Sequence, residues 1–172
     1  MRKSTSGFTI VELLIVVVVI GILAAIVIVA YNGITQEAKN SKTVSAVNTY
    51  LKALRLYEVE KGSLPNINSC LGTTTTYPDN GLCWDGTSWD VETGFLNALS
   101  PYISSYPEPD TSQVDSNNPQ RRGAFHYWDS GAGIHRIYMM LLGSGDCPTL
   151  TSGEFTSRST VTNGIVCRYA LD

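Results

Sequence analysis

A long apolar run near the start of the chain predicts a membrane-spanning helix. The 19 residues from Leu13 to Tyr31 carry no charge and are almost wholly apolar. As a helix they would rise by about 28 Å, close to the ~30 Å hydrocarbon core of a bilayer. Arg2 and Lys3 precede the run, so the positive-inside rule places the N-terminus in the cytoplasm. The alternative is a secretory signal peptide cleaved after Ala30, which is disfavoured because Ile28 stands where such a site carries a small residue.

A second pattern follows the apolar run. Between Gln36 and Lys61 apolar residues recur at spacings of three and four, which predicts an amphipathic helix. These apolar positions are Val44, Val47, Leu51 and Leu54. Gly62 suits a helix C-cap, and Pro65 blocks continuation. We therefore expect one helix from near Phe8 to about Lys61, roughly 80 Å long.

The rest of the chain predicts a small antiparallel sheet. Asp90 is expected to cap a short helix that ends at Leu99, and the stretch from Thr111 to Pro119 has the composition of an exposed loop. Three strands are expected, at Ala124–Asp129, at Ile134–Leu142, and from Val161 or Gly164 to Leu171. The first two form a hairpin through the turn at residues 130–133.

Alternation in this hairpin predicts which side chains face the long helix. If Asp129 pairs with Ile134, one face packs on the helix. That face carries Ala124, His126, Trp128, His135, Ile137, Met139 and Leu141. The other face then carries Phe125, Tyr127, Arg136 and Tyr138.

Composition and charge exclude several classes of protein. The 172 residues include 12 Lys and Arg against 15 Asp and Glu, with a formal net charge of -3. A dedicated nucleic-acid ligand is therefore not expected, because nucleic-acid binders usually carry a basic face. The alternative is a DNA-binding patch, in which Arg121-Arg122 beside exposed Phe125 and Tyr127 bind through charge and stacking. A plain surface dipeptide is favoured over this alternative.

The four cysteines predict disulfides. Their number is even and the predicted topology places them outside the cytoplasm, which favours disulfides over metal ligation. Four cysteines allow three connectivities. The pairing Cys70–Cys83 and Cys147–Cys167 is favoured, because each bond closes a local loop flanked by turn residues.

No group of residues indicates catalysis, a cofactor or a metal. His126 and Asp129 lack the G-x-S-x-G elbow of a hydrolase, so the chain is not expected to be an enzyme. His126 and His135 share a face without lying directly opposite each other, which supports a metal pair only weakly. Solvated loop carboxylates are favoured over a calcium site at Asp110, Asp115 and Asp146.

Glu12 lies directly before the apolar run, and the residues around it resemble the N-terminal signal of a known protein family. An ionisable group at the bilayer centre costs up to ~2.5–3.5 kcal/mol, so it requires a partner. A short basic leader that ends in Gly7, followed by Phe8 and by Glu12 four residues later, resembles the type III signal of bacterial type IV pilins and pseudopilins. This resemblance implies that a prepilin peptidase cleaves between Gly7 and Phe8 and methylates the amine of Phe8. It also implies that Glu12 is the assembly carboxylate.

The same resemblance implies an α+β fold, in which a long N-terminal helix, half transmembrane and half amphipathic, packs on a small antiparallel head. This is the lollipop shape of pilins. Residues 1–7 would be the leader, 8–35 the transmembrane and filament-core helix, and 36–172 the head. Many type IVa pilins melt locally between a glycine and a proline eight residues later. Gly21 matches the glycine and Val29 replaces the proline, so the alternative is that Gly21 lets helices approach closely.

The function implied by the resemblance is that of a structural subunit of a type IV pilus, a surface filament for adhesion, twitching motility or DNA uptake. Its partners would be copies of itself, the prepilin peptidase, the assembly machinery of the inner membrane, and the membrane before assembly. The chain would start in the bacterial inner membrane and end in an extracellular pilus. The alternatives are a pseudopilin or minor pilin of a type II secretion or competence system, and a membrane-anchored binding module that never polymerises.

Overall fold

The computed structural model describes residues 7–77, 82–84, 90–118 and 120–171. Two helices and five strands lie within these residues. In chain order they are α1 (Ile10–Lys61), β1 (Ser69–Cys70), α2 (Thr93–Leu99), β2 (Ala124–Asp129), β3 (Ile134–Leu142), β4 (Glu154–Val161) and β5 (Gly164–Ala170). The chain divides into two compact units, residues 1–36 and residues 37–172. The predicted α+β fold is confirmed.

The predicted end of α1 is confirmed. Its last residue is Lys61, and Gly62 follows with a φ of +81°, a conformation that glycine adopts without steric cost. The backbone N–H of Gly62 donates to the carbonyl of Glu58 at 2.8 Å. This bond satisfies one of the carbonyls that a helix end leaves unpaired.

The five strands form one antiparallel sheet in the order β1-β2-β3-β5-β4. The predicted bounds of β2 and β3 are confirmed, and Asp129 pairs with Ile134 as expected. Strand β5 begins at Gly164, one of the two predicted starts, and ends at Ala170 rather than Leu171.

Strands β1 and β4 were not predicted from the sequence. β1 has only two residues, too few to show a pattern. β4 lies at the edge of the sheet and pairs with β5 alone among the described strands, and most of its Ser- and Thr-rich side chains are exposed. An edge strand with solvent on both sides has no need for alternating apolar residues, so the signal for a half-buried strand is missing.

The predicted start of α2 at Asp90 is wrong. The helix begins at Thr93, and its N-cap residue Glu92 makes no side-chain capping bond. The carbonyl of Asp90 instead accepts a hydrogen bond from the N–H of Cys70 at 2.8 Å. Asp90 is thus held beside β1 by a backbone bond, two residues before the N-cap position.

The second half of α1 packs on the inner face of the sheet, as predicted. Val47, Leu51 and Leu54 are almost fully buried in one cluster with sheet residues. The sheet contributes Ala124, Ile137, Met139, Leu141, Ile165, Cys167 and Tyr169. His126 and His135 are also buried on this face, whereas Trp128 is half-buried.

Asn40 joins α1 to the end of β3. Its Nδ2 donates to the carbonyl of Leu142 at 3.0 Å, and its Oδ1 accepts from the N–H of the same residue at 2.8 Å. Nearby, Thr43 Oγ1 accepts a hydrogen bond from the N–H of Asp110 at 3.0 Å. These directional bonds hold α1 against the end of β3 and the segment at Asp110, in addition to the apolar packing further along the helix.

Part of the outer face of the sheet is covered, which corrects one expectation. Phe125 is only 2% exposed and belongs to a second apolar cluster with the Cys70–Cys83 pair. Arg122 is buried, and half-buried Arg121 forms an ion pair with buried Asp115 at 3.1 Å. The favoured interpretation of Arg121-Arg122 as a plain surface dipeptide is therefore wrong, and so is the exposure of Phe125 on which the DNA-binding alternative depends.

Two disulfides join Cys70 to Cys83 and Cys147 to Cys167, the pairing that the sequence favours. The first connects β1 to the segment at residues 82–84. The second connects the loop before β4 to β5, across a sequence separation of 20 residues. Both bonds hold irregular segments against the sheet.

Candidate assembly segment

The predicted cleavage site lies ahead of the first helical turn. Residues 7–9 are not helical, and the side chain of Phe8 is 81% exposed. A Cβ built on Gly7 would meet no atom within 4 Å. The rest of the predicted leader, residues 1–6, lies outside the described residues.

Thr9 and Glu12 form a capping box at the start of α1. The N–H of Glu12 donates to Thr9 Oγ1 at 3.2 Å, and Glu12 Oε2 accepts from the N–H and the hydroxyl of Thr9 at 2.8 and 2.7 Å. The pair satisfies backbone donors that a helix start leaves unpaired. The T-x-x-E spacing that signals a capping box is visible in the sequence, and it is the feature that the sequence reasoning missed.

The capping box holds the carboxylate of Glu12 in a defined place. Glu12 lies in the first turn of α1, where the helix dipole favours a negative charge. Its Oε2 is engaged by Thr9, while its Oε1 accepts no hydrogen bond from any residue that the structure describes. One carboxylate oxygen of Glu12 is thus held in place by contacts within the subunit.

The side chains that follow form a continuous apolar surface. The described side chains from Leu13 to Ile34 are all exposed, and α1 is long and apolar enough to cross a membrane. An exposed apolar surface of this extent marks contact with lipid or with other protein. α1 runs without a break through Gly21, and a Cβ there would meet nothing within 4 Å, so Gly21 makes no close contact inside the subunit.

The candidate calcium ligands lie in separate polar settings. Asp110 Oδ1 accepts from the N–H of Ser112 at 3.0 Å, Asp115 pairs with Arg121, and Asp146 lies 3.6 Å from Arg158. Within the part of the chain that the structure describes, no three His, Cys, Asp or Glu side chains are grouped as metal ligands.

The two histidines of the inner face are in contact. His135 Nδ1 lies 3.3 Å from His126 Nε2, and His126 Nδ1 lies 2.8 Å from the carbonyl of Ile67. The carbonyl requires a proton on His126 Nδ1, so the neutral Nε2 accepts from His135 Nδ1. This bond between the histidines serves the packing of the core.

Asp129 and Tyr169 are among the titrating side chains of the head with shifted pKa values. Hydrogen bonds from Arg136 and from the N–H of Ala132 lower the pKa of Asp129 at the β2–β3 turn. Burial raises the pKa of Tyr169 to about 12, and its hydroxyl donates to the carbonyl of Pro148 at 2.6 Å. Both side chains stabilise the sheet and its loops.

Comparison with known proteins covers part of the chain. Residues 2–28 match the prokaryotic N-terminal methylation motif. A type II secretion system core protein G of Vibrio cholerae is 35% identical over 80 residues, 46% of this chain and 54% of that protein. A fimbrial protein of Neisseria meningitidis is 33% identical over 76 residues, 44% of this chain and 45% of its own length.

A type IV major pilin protein PilE1 of Neisseria gonorrhoeae is 32% identical over 79 residues, 46% of this chain and 48% of the pilin. The chain thus matches about half the length of each of these relatives. No solved structure matches it significantly. The methylation motif, the relatives of both kinds and the exposed apolar helix support one family for this chain, that of the type IV pilins and pseudopilins.

Proposed function

We propose that the protein is a structural subunit that polymerises through the exposed apolar half of α1 into a type IV pilus on the cell surface. The observation that carries this proposal is the apolar surface from Leu13 to Ile34, exposed throughout its described side chains. Such a surface is stable in a bilayer or among copies of the same helix, but not in water. Assembly would exchange lipid contacts for contacts with other subunits.

Processing would remove residues 1–7 and methylate the amine of Phe8. The exposed, non-helical Gly7 and Phe8 support this step, because a peptidase requires an accessible backbone. The capping box would survive cleavage, since the N–H that Glu12 binds belongs to Thr9. The mature chain would therefore keep a defined helix start one residue after its new amine.

Glu12 would meet the Phe8 amine of a neighbouring subunit. Glu12 Oε1 accepts no bond from the described residues, which supports a role for this oxygen as the outer acceptor. A pair of opposite charges offsets part of the cost of burying each one, and breaking such a pair typically costs ~3–5 kcal/mol. Since the amine and Glu12 both lie close to the start of α1, their contact would also set the stagger between subunits.

The prepilin peptidase and an inner-membrane assembly machine would be the partners of this process. The prepilin would sit in the inner membrane with a cytoplasmic N-terminus before display outside the cell. Two disulfides in residues 37–172 support an oxidising environment for the head. Residues 8–35 would form the filament core and 36–172 the head. Gly21 would either melt or allow close helix approach during assembly.

Mass spectrometry of protein sheared from cells tests the proposal. The expected chain begins at N-methylated Phe8, whereas one that begins at Met1 or Tyr31 contradicts the processing. Glu12→Gln should abolish sheared filaments, because it removes the charge that pairs with the amine. Glu37→Gln, which alters an exposed carboxylate on the same helix, is the matched control and should leave the filaments intact.

A pseudopilin of a type II secretion system is the second candidate. It is favoured by the match to a type II secretion system core protein G, which covers as much of this chain as the pilin matches do. Subunits that stay in the envelope, together with a secretion defect after deletion, would support this candidate. Trimmed subunits that remain monomeric in the membrane of working cells would contradict both.

A further inference from the structure

We propose that the outer face of the sheet binds an acidic saccharide, a hexuronate residue of a polysaccharide. A cavity of about 220 Å³ on this face is lined by Trp84, Phe125, Tyr127 and Tyr138. Cavities that enclose drug-sized ligands hold ~300–1,000 Å³, so this one suits a single six-membered ring. This binding goes beyond assembly, because it uses only residues of the head.

The aromatic residues hold one another in place. The Phe125 and Tyr138 rings stack with centroids 4.5 Å apart, and Trp84 lies 5.0 Å from Phe125 and 5.6 Å from Tyr138. Tyr127 meets Tyr138 edge-on at 6.0 Å. Rings present an apolar body and, in Tyr and Trp, a polar tip. This combination matches a pyranose, which has C–H groups on its faces and hydroxyls around its edge.

Arg168 supplies a positive charge beside the cavity. Its guanidinium lies 5.4 Å from the centre of the Tyr138 ring, and its Nη1 donates to Ser159 Oγ at 2.7 Å and to Ser157 Oγ at 3.3 Å. Among the residues that the structure describes, it forms no ion pair. A half-buried cation with only neutral partners is not fully compensated, and a ligand carboxylate would compensate it through charge-assisted hydrogen bonds.

The neighbouring charges favour a saccharide over a nucleic acid. On the same side of the head, Arg121 is paired with Asp115 and Arg136 with Asp129. Of these three arginines, Arg168 is therefore the one that has no ion pair with a residue that the structure describes. Nucleic-acid binders usually neutralise several phosphates at once, and the chain has a net charge of -3. A hexuronate carries one charge per ring, which matches one unneutralised arginine beside one aromatic cavity.

Titration of the full-length protein in detergent tests the proposal. The probes are trigalacturonate, the neutral galactose trisaccharide and a single-stranded oligonucleotide, with binding measured by calorimetry. We expect trigalacturonate to bind at least tenfold more tightly than the neutral sugar. Equal affinity for both sugars, no binding at millimolar concentration, or tighter binding of the oligonucleotide would each overturn the proposal.

Two variants test separately the contributions of the positive charge and of the aromatic rings to binding. Arg168→Gln should reduce the affinity for trigalacturonate to that for the neutral sugar, and Tyr127→Leu should weaken both sugars. Arg158→Gln on the adjacent β4 is the matched control, since Arg158 is paired with Asp146 and should leave binding unchanged. If Arg168→Gln does not fold, Tyr127→Leu decides: unchanged binding by a folded Tyr127→Leu protein refutes the site. Filament assembly in these variants should be normal, so failure of the saccharide proposal leaves the assembly proposal intact.

Discussion

Removal of the Cys147–Cys167 disulfide should destabilise the head by an amount that the loop length predicts. The bond closes a separation of 20 residues. In the chain-entropy model a loop of that length corresponds to about 3.3 kcal/mol of free energy of unfolding, acting through the unfolded chain. The 13-residue separation of Cys70–Cys83 corresponds to about 2.9 kcal/mol on the same basis.

The native loop should survive the loss of the Cys147–Cys167 bond. Leu150 belongs to the inner core, and the N–H and hydroxyl of Thr151 donate to Asn48 Oδ1 at 2.9 and 3.0 Å. Tyr169 adds its hydrogen bond to Pro148. Because these contacts do not depend on the disulfide, the folded structure should change little while the unfolded chain gains freedom.

Urea unfolding of the double variant Cys147→Ala/Cys167→Ala in detergent measures this loss. All three tryptophans of the chain lie in residues 37–172, so their fluorescence reports on the head. The expected result is a midpoint shift at nearly constant slope, equivalent to about 3 kcal/mol. The matched comparison is Cys70→Ala/Cys83→Ala. Typical disulfides contribute ~2–4 kcal/mol to the free energy of unfolding. A loss below about 1 kcal/mol for Cys147→Ala/Cys167→Ala would therefore refute the entropic reasoning.

Four other predictions follow from single contacts. Thr9→Val should reduce the number of sheared filaments, because it removes the hydroxyl of the capping box, worth ~0.5–2 kcal/mol, and Thr9→Ser should restore them. Leu54→Ala should lower the free energy of unfolding by ~2–5 kcal/mol in urea titration, since Leu54 is fully buried against the sheet. Because Arg136 lowers the pKa of Asp129, this pair should stabilise the head above about pH 4. The stabilisation should be lost as the pH falls through the pKa of Asp129 in the folded state. Asp129→Asn should therefore flatten this part of the plot of unfolding free energy against pH. Because burial raises the pKa of Tyr169 to about 12, the contribution of its neutral hydroxyl to the free energy of unfolding should be complete below about pH 10. It should disappear as the pH rises towards 12. Tyr169→Phe should not show this loss of stability.

The sequence predicted those parts of the fold that have a strong local pattern. Gly62 ends α1 because its backbone conformation suits glycine, and the turn at residues 130–133 places Asp129 opposite Ile134. The apolar positions of α1 and the alternation of β3 are both periodic, so the inner core could be predicted from them. In each case the signal lies within a few consecutive residues.

Two expectations were wrong because they depend on contacts far apart in the sequence. Asp90 has the residue type of a helix cap, but the N–H of Cys70 binds its carbonyl and α2 starts later. Phe125 was expected at the surface, but the segments around the Cys70–Cys83 bond cover it. At the assembly segment, Gly7, Phe8 and Glu12 were recognised from the sequence, but the capping box of Thr9 and Glu12 was missed although its T-x-x-E spacing is a local signal.

The bond from Asn40 to Leu142 limits where the protein can be shortened for study in water. A fragment that starts at Glu37 would retain this amide contact and every helix residue of the inner core. A fragment that starts after Lys61 would lack the helix altogether and leave the apolar inner side of the sheet bare. Secretable or crystallisable versions of the head should therefore begin between Gln36 and Asn40.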